Sequence, residues 1–471
     1  MIKNYSTYSL SVFLFISTLQ IFAQAATPQQ MVARMGRGIN LGNTLSAPFE
    51  GNWAPAVQES YFDDVAAAGF KTVRIPIRFD EHTTKLEDVV YKDGSGNYIG
   101  SMSQYTVEAS YLNRIEQVTD WALSKGLVAI IDVHGDHWFW ESYREKKGGV
   151  ANPDYKTGAD RAAAEDRFRA IWTAISTRFQ NKSENLLFEI MNEAYFSMNA
   201  AQVDATNTYI LNIIRATNPT RNVIVNGGGK NSYEAPLQLG VSGNNSYLSD
   251  SYIIATFHYY WPRAFTASAS QNENDYDWGT AADKAEIDQD FGYVKTWSDT
   301  KGIPIYLGEF GADNERGINY STGAIGLYGG PENASRVEFH RYLAQKAIDL
   351  GFCFTVWCAG DKAGKTIYKV TDRTWVEDVK NVVLGITLGT EDFNPANDFA
   401  IYPNPVTDYL NITTTQNIQK MELYNLNGQL YTLEHRNQEV RLPSLSNGLY
   451  LLKTTFSDNT TSHNKLIIHK Q

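Results

Sequence analysis

One pattern restricts the fold more than any other: eight short apolar runs, separated from one another by amphipathic stretches of helical period. The runs are "RGINLG" (37–42), "TVRIPI" (72–77), "LVAIIDVH" (127–134), "NLLFEIMNE" (185–193), "NVIVNG" (222–227), "YIIATFHYY" (252–260), "PIYLGEF" (304–310) and "FCFTVWCAG" (352–360). Strands this continuously apolar are buried on both faces, the condition of a parallel sheet covered by helices. The intervening stretches fit that cover. Val57, Tyr61, Val65 and Ala68 recur at helical spacing, as do Ile115, Val118 and Ala122 ahead of a terminating Gly126. "RAAAEDRFRAIWTAISTRF" and "SRVEFHRYLAQKAIDLG" read the same way. Eight such units predict an α/β fold, a closed (β/α)8 TIM barrel. An open doubly wound sheet would more often carry a glycine-rich phosphate loop after its first strand, and "NLGNTL" lacks the G-x-G-x-x-G spacing.

The barrel is expected over residues 26–386, because the sequence changes character on either side. Residues 1–25 hold a lone Lys3, an apolar stretch from Leu10 to Phe22 and the small-residue pattern Ala23-Gln24-Ala25. That is the layout of a secretory signal peptide, and its apolar part is too short for a membrane anchor. Residues 387–398 read as a polar linker. Residues 399–471 carry short alternating segments ("YLNITT", "KMELYNLNGQ", "GLYLLKTTF", "NKLIIHK"), which predict a small all-β, sandwich-like C-terminal domain whose Tyr and Phe face its core. A net charge of -11 and the lack of a Lys/Arg cluster argue against a nucleic-acid partner. Aromatic residues make up 13% of the chain, which fits a surface that stacks on flat rings. Cys353 and Cys358 fall an odd number of residues apart in one apolar run, hence on opposite faces, and are expected to be buried free thiols. A monomer is the expected state.

Chemistry in such a barrel stands at the C-terminal ends of the strands. The runs leave Arg74, His134, Asn192, Glu193, His258, Tyr260, Glu309 and Trp357 there. Glu193 and Glu309 belong to runs four and seven, which face each other across an eight-stranded ring. Paired carboxylates suit glycoside hydrolysis: one stays protonated to serve the departing oxygen, the other stays ionised to attack the anomeric carbon. A gap of about 5–5.5 Å gives retention of configuration, and a wider one inversion. Arg74 would favour an ionised Glu, Asn192 would donate to a sugar hydroxyl, and Trp357 would offer an apolar face. Each residue taken singly has a plainer use, as a solvated charge, a structural ion pair or core. Their common position at one mouth carries the reading. Asp132, His134, Asp136 and His137 in "DVHGDHW" invite a metal, but no further convergent ligand is legible. No metal and no cofactor are expected.

These residues resemble glycoside hydrolase family 5 over about residues 27 to 386. The resemblance rests on "GINLGNTL", Arg74 in "VRIPIRF", His134, Asn192-Glu193, the H-x-Y of His258 and Tyr260, Glu309 in "LGEFG", and Trp357. It implies a retaining double displacement with Glu193 as acid/base and Glu309 as nucleophile. Arg74 and Tyr260 would hold the nucleophile, Asn192 the 2-hydroxyl, His134 and His258 the hydrogen-bond network, and Trp357 the floor of the subsite. It further implies a secreted endo-β-1,4-glucanase acting on a β-linked polysaccharide. Mannan, xyloglucan or mixed-linkage glucan are the alternatives, and a non-catalytic glucan-binding protein is the alternative of another class. The family usually writes N-E-P where this chain has Ala194, which implies a looser loop at Tyr195 and Phe196. Trp53, Trp138, Trp140, Trp261 and Trp278 suit a cleft, with Trp261 and Trp53 the favoured platforms. The tail's "YPNPVTDYLNI", "ELYNLNGQ" and "LSNGLYLLK" resemble the C-terminal sorting domain of type IX secretion. That resemblance implies contact with a secretion machinery and a place outside the cell or on its outer surface.

Overall fold

The computed structural model describes residues 25–386 and 399–470, apart from residues 136, 230–231, 244, 271–274, 415, 426–428, 437–438 and 458–460. The expected signal peptide, save Ala25, and the expected linker at 387–398 lie outside the described residues.

Eight parallel strands close into a barrel: β1 (Arg37–Asn40), β2 (Thr72–Ile77), β3 (Val128–Val133), β4 (Leu186–Glu189), β5 (Val223–Val225), β6 (Ile253–Tyr259), β7 (Ile305–Phe310) and β8 (Cys353–Val356). They stand in sequence order around the ring, and β8 pairs with β1 to seal it. Every strand residue but Arg37 is buried, which is why the runs lack alternation. The register sets Arg74 beside Asn40 on one side and Ile130 on the other, and sets Asp132 beside Glu189. A register shift between Phe257 and His258 brings His258 level with Glu309.

Long helices α1 (Pro28–Met35), α2 (Glu59–Ala68), α3 (Ala109–Ser124), α4 (Gly158–Arg178), α5 (Ala200–Thr217), α6 (Ala281–Lys301) and α7 (Asn333–Asp349) accompany the strands. The α3 helix buries the expected Ile115, Val118 and Ala122, and Gly126 closes it by donating to the Leu123 carbonyl at 3.0 Å. The α2 stripe differs from expectation. Val57 precedes the helix, and the buried face is Tyr61, Phe62 and Val65, because neighbours at i and i+1 share a wide apolar stripe.

The bottom of the barrel is closed by α1. Thr27 and Gln30 form a reciprocal cap at its start, with Pro28 in the first turn. Met31 and Met35, both fully buried, then pack on Val128, Ile130, Leu187, Ile224, Ile254, Tyr306 and Cys353. Both cysteines are buried and free. Cys358 lies beyond β8, however, so strand alternation does not place it; its sulfur accepts from the Ile367 and Tyr368 amides at 3.3 Å.

The chain divides into two compact units, Met1–Val376 and Glu377–Gln471. The second holds two four-stranded antiparallel sheets, whose core includes Phe399, Leu410, Ile412, Leu423, Leu452 and Phe456. Tyr450 is buried as expected. Tyr409 is exposed instead, because Leu410 and Ile412 take the inward positions of its strand, and Tyr402, paired with Asn411 between them, is exposed too. Among the described residues no helix is long and apolar enough to cross a membrane.

Truncating the barrel's bottom plug, Met35→Ala, is expected to lower unfolding free energy by about 2–5 kcal/mol in a denaturant titration. A loss below about 0.5 kcal/mol would show that the plug bears no load.

Candidate active site

The site grows from one residue, Arg74, a fully buried cation in the middle of an apolar strand. A guanidinium in such a place requires acceptors for all five N–H groups. Its Nε and Nη2 donate to the two oxygens of Glu189 at 2.7 and 2.9 Å. Nη2 also meets Asn192 Oδ1 at 2.9 Å and Asp132 Oδ2 at 2.8 Å. Nη1 donates to Asn40 Oδ1 at 3.1 Å and Glu309 Oε1 at 2.6 Å. Burial alone would lower the Arg74 pKa, but Asp132, Glu189 and Glu309 outweigh it and hold the guanidinium charged.

One cation among three carboxylates leaves excess negative charge in a dry space, which favours a proton on one of them. Burial pushes Asp132 up to about 7 against the pull of Arg74, with the Glu193 charge adding to the rise. Burial also pushes Glu189 upward. Oδ1 of Asp132 has no hydrogen-bond partner among the described residues, which a neutral carboxyl tolerates better than an anion.

At the mouth, Glu309 receives Arg74 on Oε1 and the Tyr260 hydroxyl on Oε2 at 2.9 Å. Burial, then Glu309 and Glu193, hold the Tyr260 phenol well above its usual range, so it remains a donor. Glu193, a quarter exposed, pairs through Oε1 with His258 Nδ1 at 2.9 Å. Glu193, His258 and Glu309 each bring an atom within 4.8 Å of the others. That spacing of ligand atoms would also suit a metal ion, but Arg74 already supplies the positive charge at Glu309. His134 hydrogen-bonds Asp132 at 2.7 Å and lies parallel to the Trp357 ring, centroids 5.7 Å apart. Desolvation lowers both His134 and His258 to about 4, so both rings are neutral near pH 7.

Two glycines permit this packing. A Cβ on Gly308 would stand 2.8 Å from His258 Nε2, and one on Gly42 would stand 2.6 Å from the Cys358 carbonyl and 2.9 Å from the Trp357 ring. The "NLGNTL" stretch therefore seats Trp357.

All eight expected polar and aromatic residues converge on one mouth, but not all from strands. The β4 strand ends at Glu189, whereas its run was expected to reach Glu193. The Asn192 amide still bonds the Val133 carbonyl at 3.0 Å, so the segment follows β3 without regular pairing. Ala194 is buried and starts a tight turn, its carbonyl accepting from Ser197 and Met198 at 3.0 and 2.8 Å. The side chain of Tyr195 and all of Asp136 lie outside the described residues. His137 accepts from the Trp140 indole rather than joining Asp132.

An open cleft of about 440 Å³ is lined by Glu193, Glu309, Trp357, Trp261, Phe196 and Lys365, among others. Trp261 is half exposed, and its indole donates to Glu286 at 2.8 Å. Trp53 is exposed but not among the residues lining this cleft. Trp140 and Trp278 are buried and seal the core instead. Sequence reasoning missed Asn40 and Glu189, and gave Asp132 only to a metal. The signal was present: two acids and one Arg inside runs otherwise too apolar to hold a charge.

A parallel barrel whose mouth brings two carboxylates within 4.8 Å of each other presents the acid pair that glycoside hydrolysis uses. Residues 36–363 match the cellulase family, glycosyl hydrolase family 5, and the chain belongs to that family. Residues 400–469 match the secretion system C-terminal sorting domain. Endoglucanase H of Acetivibrio thermocellus is 38% identical over 364 residues, 76% of this chain and 34% of that protein. Endoglucanase B of Paenibacillus lautus is 29% identical over 375 residues, 74% of this chain and 58% of that protein. The chain thus spans about a third of the first relative and somewhat over half of the second. A tri-modular subfamily 4 endo-β-1,4-glucanase from Bacillus licheniformis superposes with a TM-score of 0.60 at 26% identity, over 94% of this chain and 80% of that one.

A histidine held neutral adds stability that is complete above its unfolded pKa of about 6.5 and is lost as pH falls toward its folded value. The His258 ring is therefore expected to stay neutral down to about pH 4 in an NMR titration. The stability advantage of wild type over His258→Gln should shrink between pH 6.5 and 4. Midpoint titration near 6.5 would contradict the burial argument.

Proposed function

We propose that this chain is an exported endo-β-1,4-glucanase that cleaves by retaining double displacement. Glu309 attacks the anomeric carbon, with Arg74 and Tyr260 holding its two oxygens. Glu193 first protonates the leaving oxygen and then activates the water that releases the sugar. The observation that carries the reading is the approach of Glu193 and Glu309 to within 4.8 Å while one of them is gripped by a guanidinium and a phenol. A gap that small supports retention, since inversion needs room for a water between the acids.

Other residues take supporting roles. Asn192 Oδ1 faces Arg74, which turns its amide N–H group toward a sugar hydroxyl. His258 orients Glu193. Trp357, stacked on His134, floors the sugar being cleaved, and Trp261 extends the platform. Glucan is favoured as substrate because the similar proteins above carry endoglucanase names. Mannan, xyloglucan and mixed-linkage glucan are the rivals that a substrate panel separates. The sorting-domain match supports export by type IX secretion, with the enzyme acting outside the cell.

With carboxymethyl cellulose as substrate and reducing ends as readout, Glu309→Gln is expected to lose at least about a thousandfold in rate, since the covalent step then has no nucleophile. Rates unchanged in that variant would sink the assignment. Chelator should leave the wild-type rate within about twofold, as the displacement uses no metal.

A further inference from the structure

One buried carboxylate takes no direct part in this displacement. Glu189 is 1% exposed, ends β4, and spends both oxygens on the Nε–Nη2 edge of Arg74. We propose that Glu189 is a positioning residue for the hydrolysis: it locks the guanidinium plane so that Nη1 is aimed at Glu309. This inference rests on Glu309 being the nucleophile.

The geometry carries it in three ways. A bidentate carboxylate–guanidinium pair fixes the plane of the fork as well as its position, which a single contact does not. The remaining acceptors cannot replace it. Asp132 and Asn192 both sit on Nη2 and Asn40 on Nη1, so without Glu189 no other acceptor among the described residues takes Nε, and the Nε–Nη2 edge loses its two-point grip. Glu189 also precedes Asn192 and Glu193 on the same segment, so one contact ties the β2 cation to the stretch bearing the other acid.

Neutralising Arg74 is not the reason for Glu189, because Asp132 and Glu309 already supply two carboxylates at 2.8 and 2.6 Å. A third carboxylate is justified by where it sits. Glu309 itself is faced by Arg74 from β2, by His134 just past β3 with Asp132 behind it, by Glu193 from the segment after β4, by His258 from β6 and by Tyr260 just past it. Of these, only Arg74 is a fixed cation, so the acidic limb of the rate profile reports how well that cation is aimed.

The test is Glu189→Asp in the full chain, which keeps the charge and withdraws the carboxylate by one methylene. Expected are a kcat at least about tenfold lower, a KM within about threefold, and an acidic limb moved upward by about half a pH unit or more, as a carboxylate protonates more readily when its cation swings away. Wild-type kinetics in this variant would mean that charge alone matters and would overturn the proposal. So would a lowered melting temperature with the limb unmoved, which is the signature of a purely structural role. If the Asp variant does not fold, Glu189→Gln decides. Loss of one anion alone moves the limb down, whereas loss of aim moves it up. Wild-type protein inactive on every glycan tried would sink the hydrolase reading instead, a result separate from failure of the positioning role.

Discussion

The structure turns on a single buried cation. Arg74 stands where the barrel lumen is dry, and its guanidinium meets groups from five sources: Asn40 on β1, Asp132 on β3, Glu189 on β4, Asn192 just past β4, and Glu309 on β7. Burying one charge is unfavourable unless its partners are fixed, and here the closed ring fixes them. The barrel gathers residues far apart in sequence, and the ion cluster in turn pins the strand ends that carry the chemistry. Asn40 shows the coupling at the seam: its Oδ1 takes Arg74 while its amide nitrogen donates to the Gly308 and Thr355 carbonyls at 3.1 Å.

The two ends of the barrel answer different demands. The bottom is sealed by methionines, whose flexible chains fill an irregular ring of strand starts. The top keeps polar groups dry enough to shift their protonation. Two neutral imidazoles, a protonated phenol and a carboxyl raised to about 7 all follow first from burial, with nearby anions adding to the rise at the phenol and the carboxyl and opposing the fall at the imidazoles. Glu193 alone among these central acids keeps appreciable exposure, which suits the acid/base role proposed for it.

Much of this was legible in the sequence, and the exceptions share a cause. The eight runs located the eight strands because double burial removes polar residues from them. The residues at the run ends located the mouth, because a barrel places successive strand ends together. Strand length was the weak point at β4, where pairing stops at Glu189 although the sequence stays apolar through Met191. Side chains serving other side chains were harder still. Asn40, Asp132 and Glu189 lie inside apolar runs, and their role appears only once Arg74 is seen to need them. Trp53 and Trp261 look alike in sequence, and only the folded loops separate the cleft-lining ring from the other.

Arg74 and Tyr260 each hold one oxygen of Glu309, and if Glu309 is the nucleophile proposed above, it forms a covalent bond to the sugar. Incubation with a 2-deoxy-2-fluoro cellobioside bearing a good leaving group would trap a covalent glycosyl-enzyme, located by peptide mass spectrometry. The added mass is predicted on the peptide containing Glu309, at one 2-deoxy-2-fluorocellobiosyl group, a disaccharide, per chain. A label on Glu193, or steady turnover of the natural glycan with no trapped species, would contradict it.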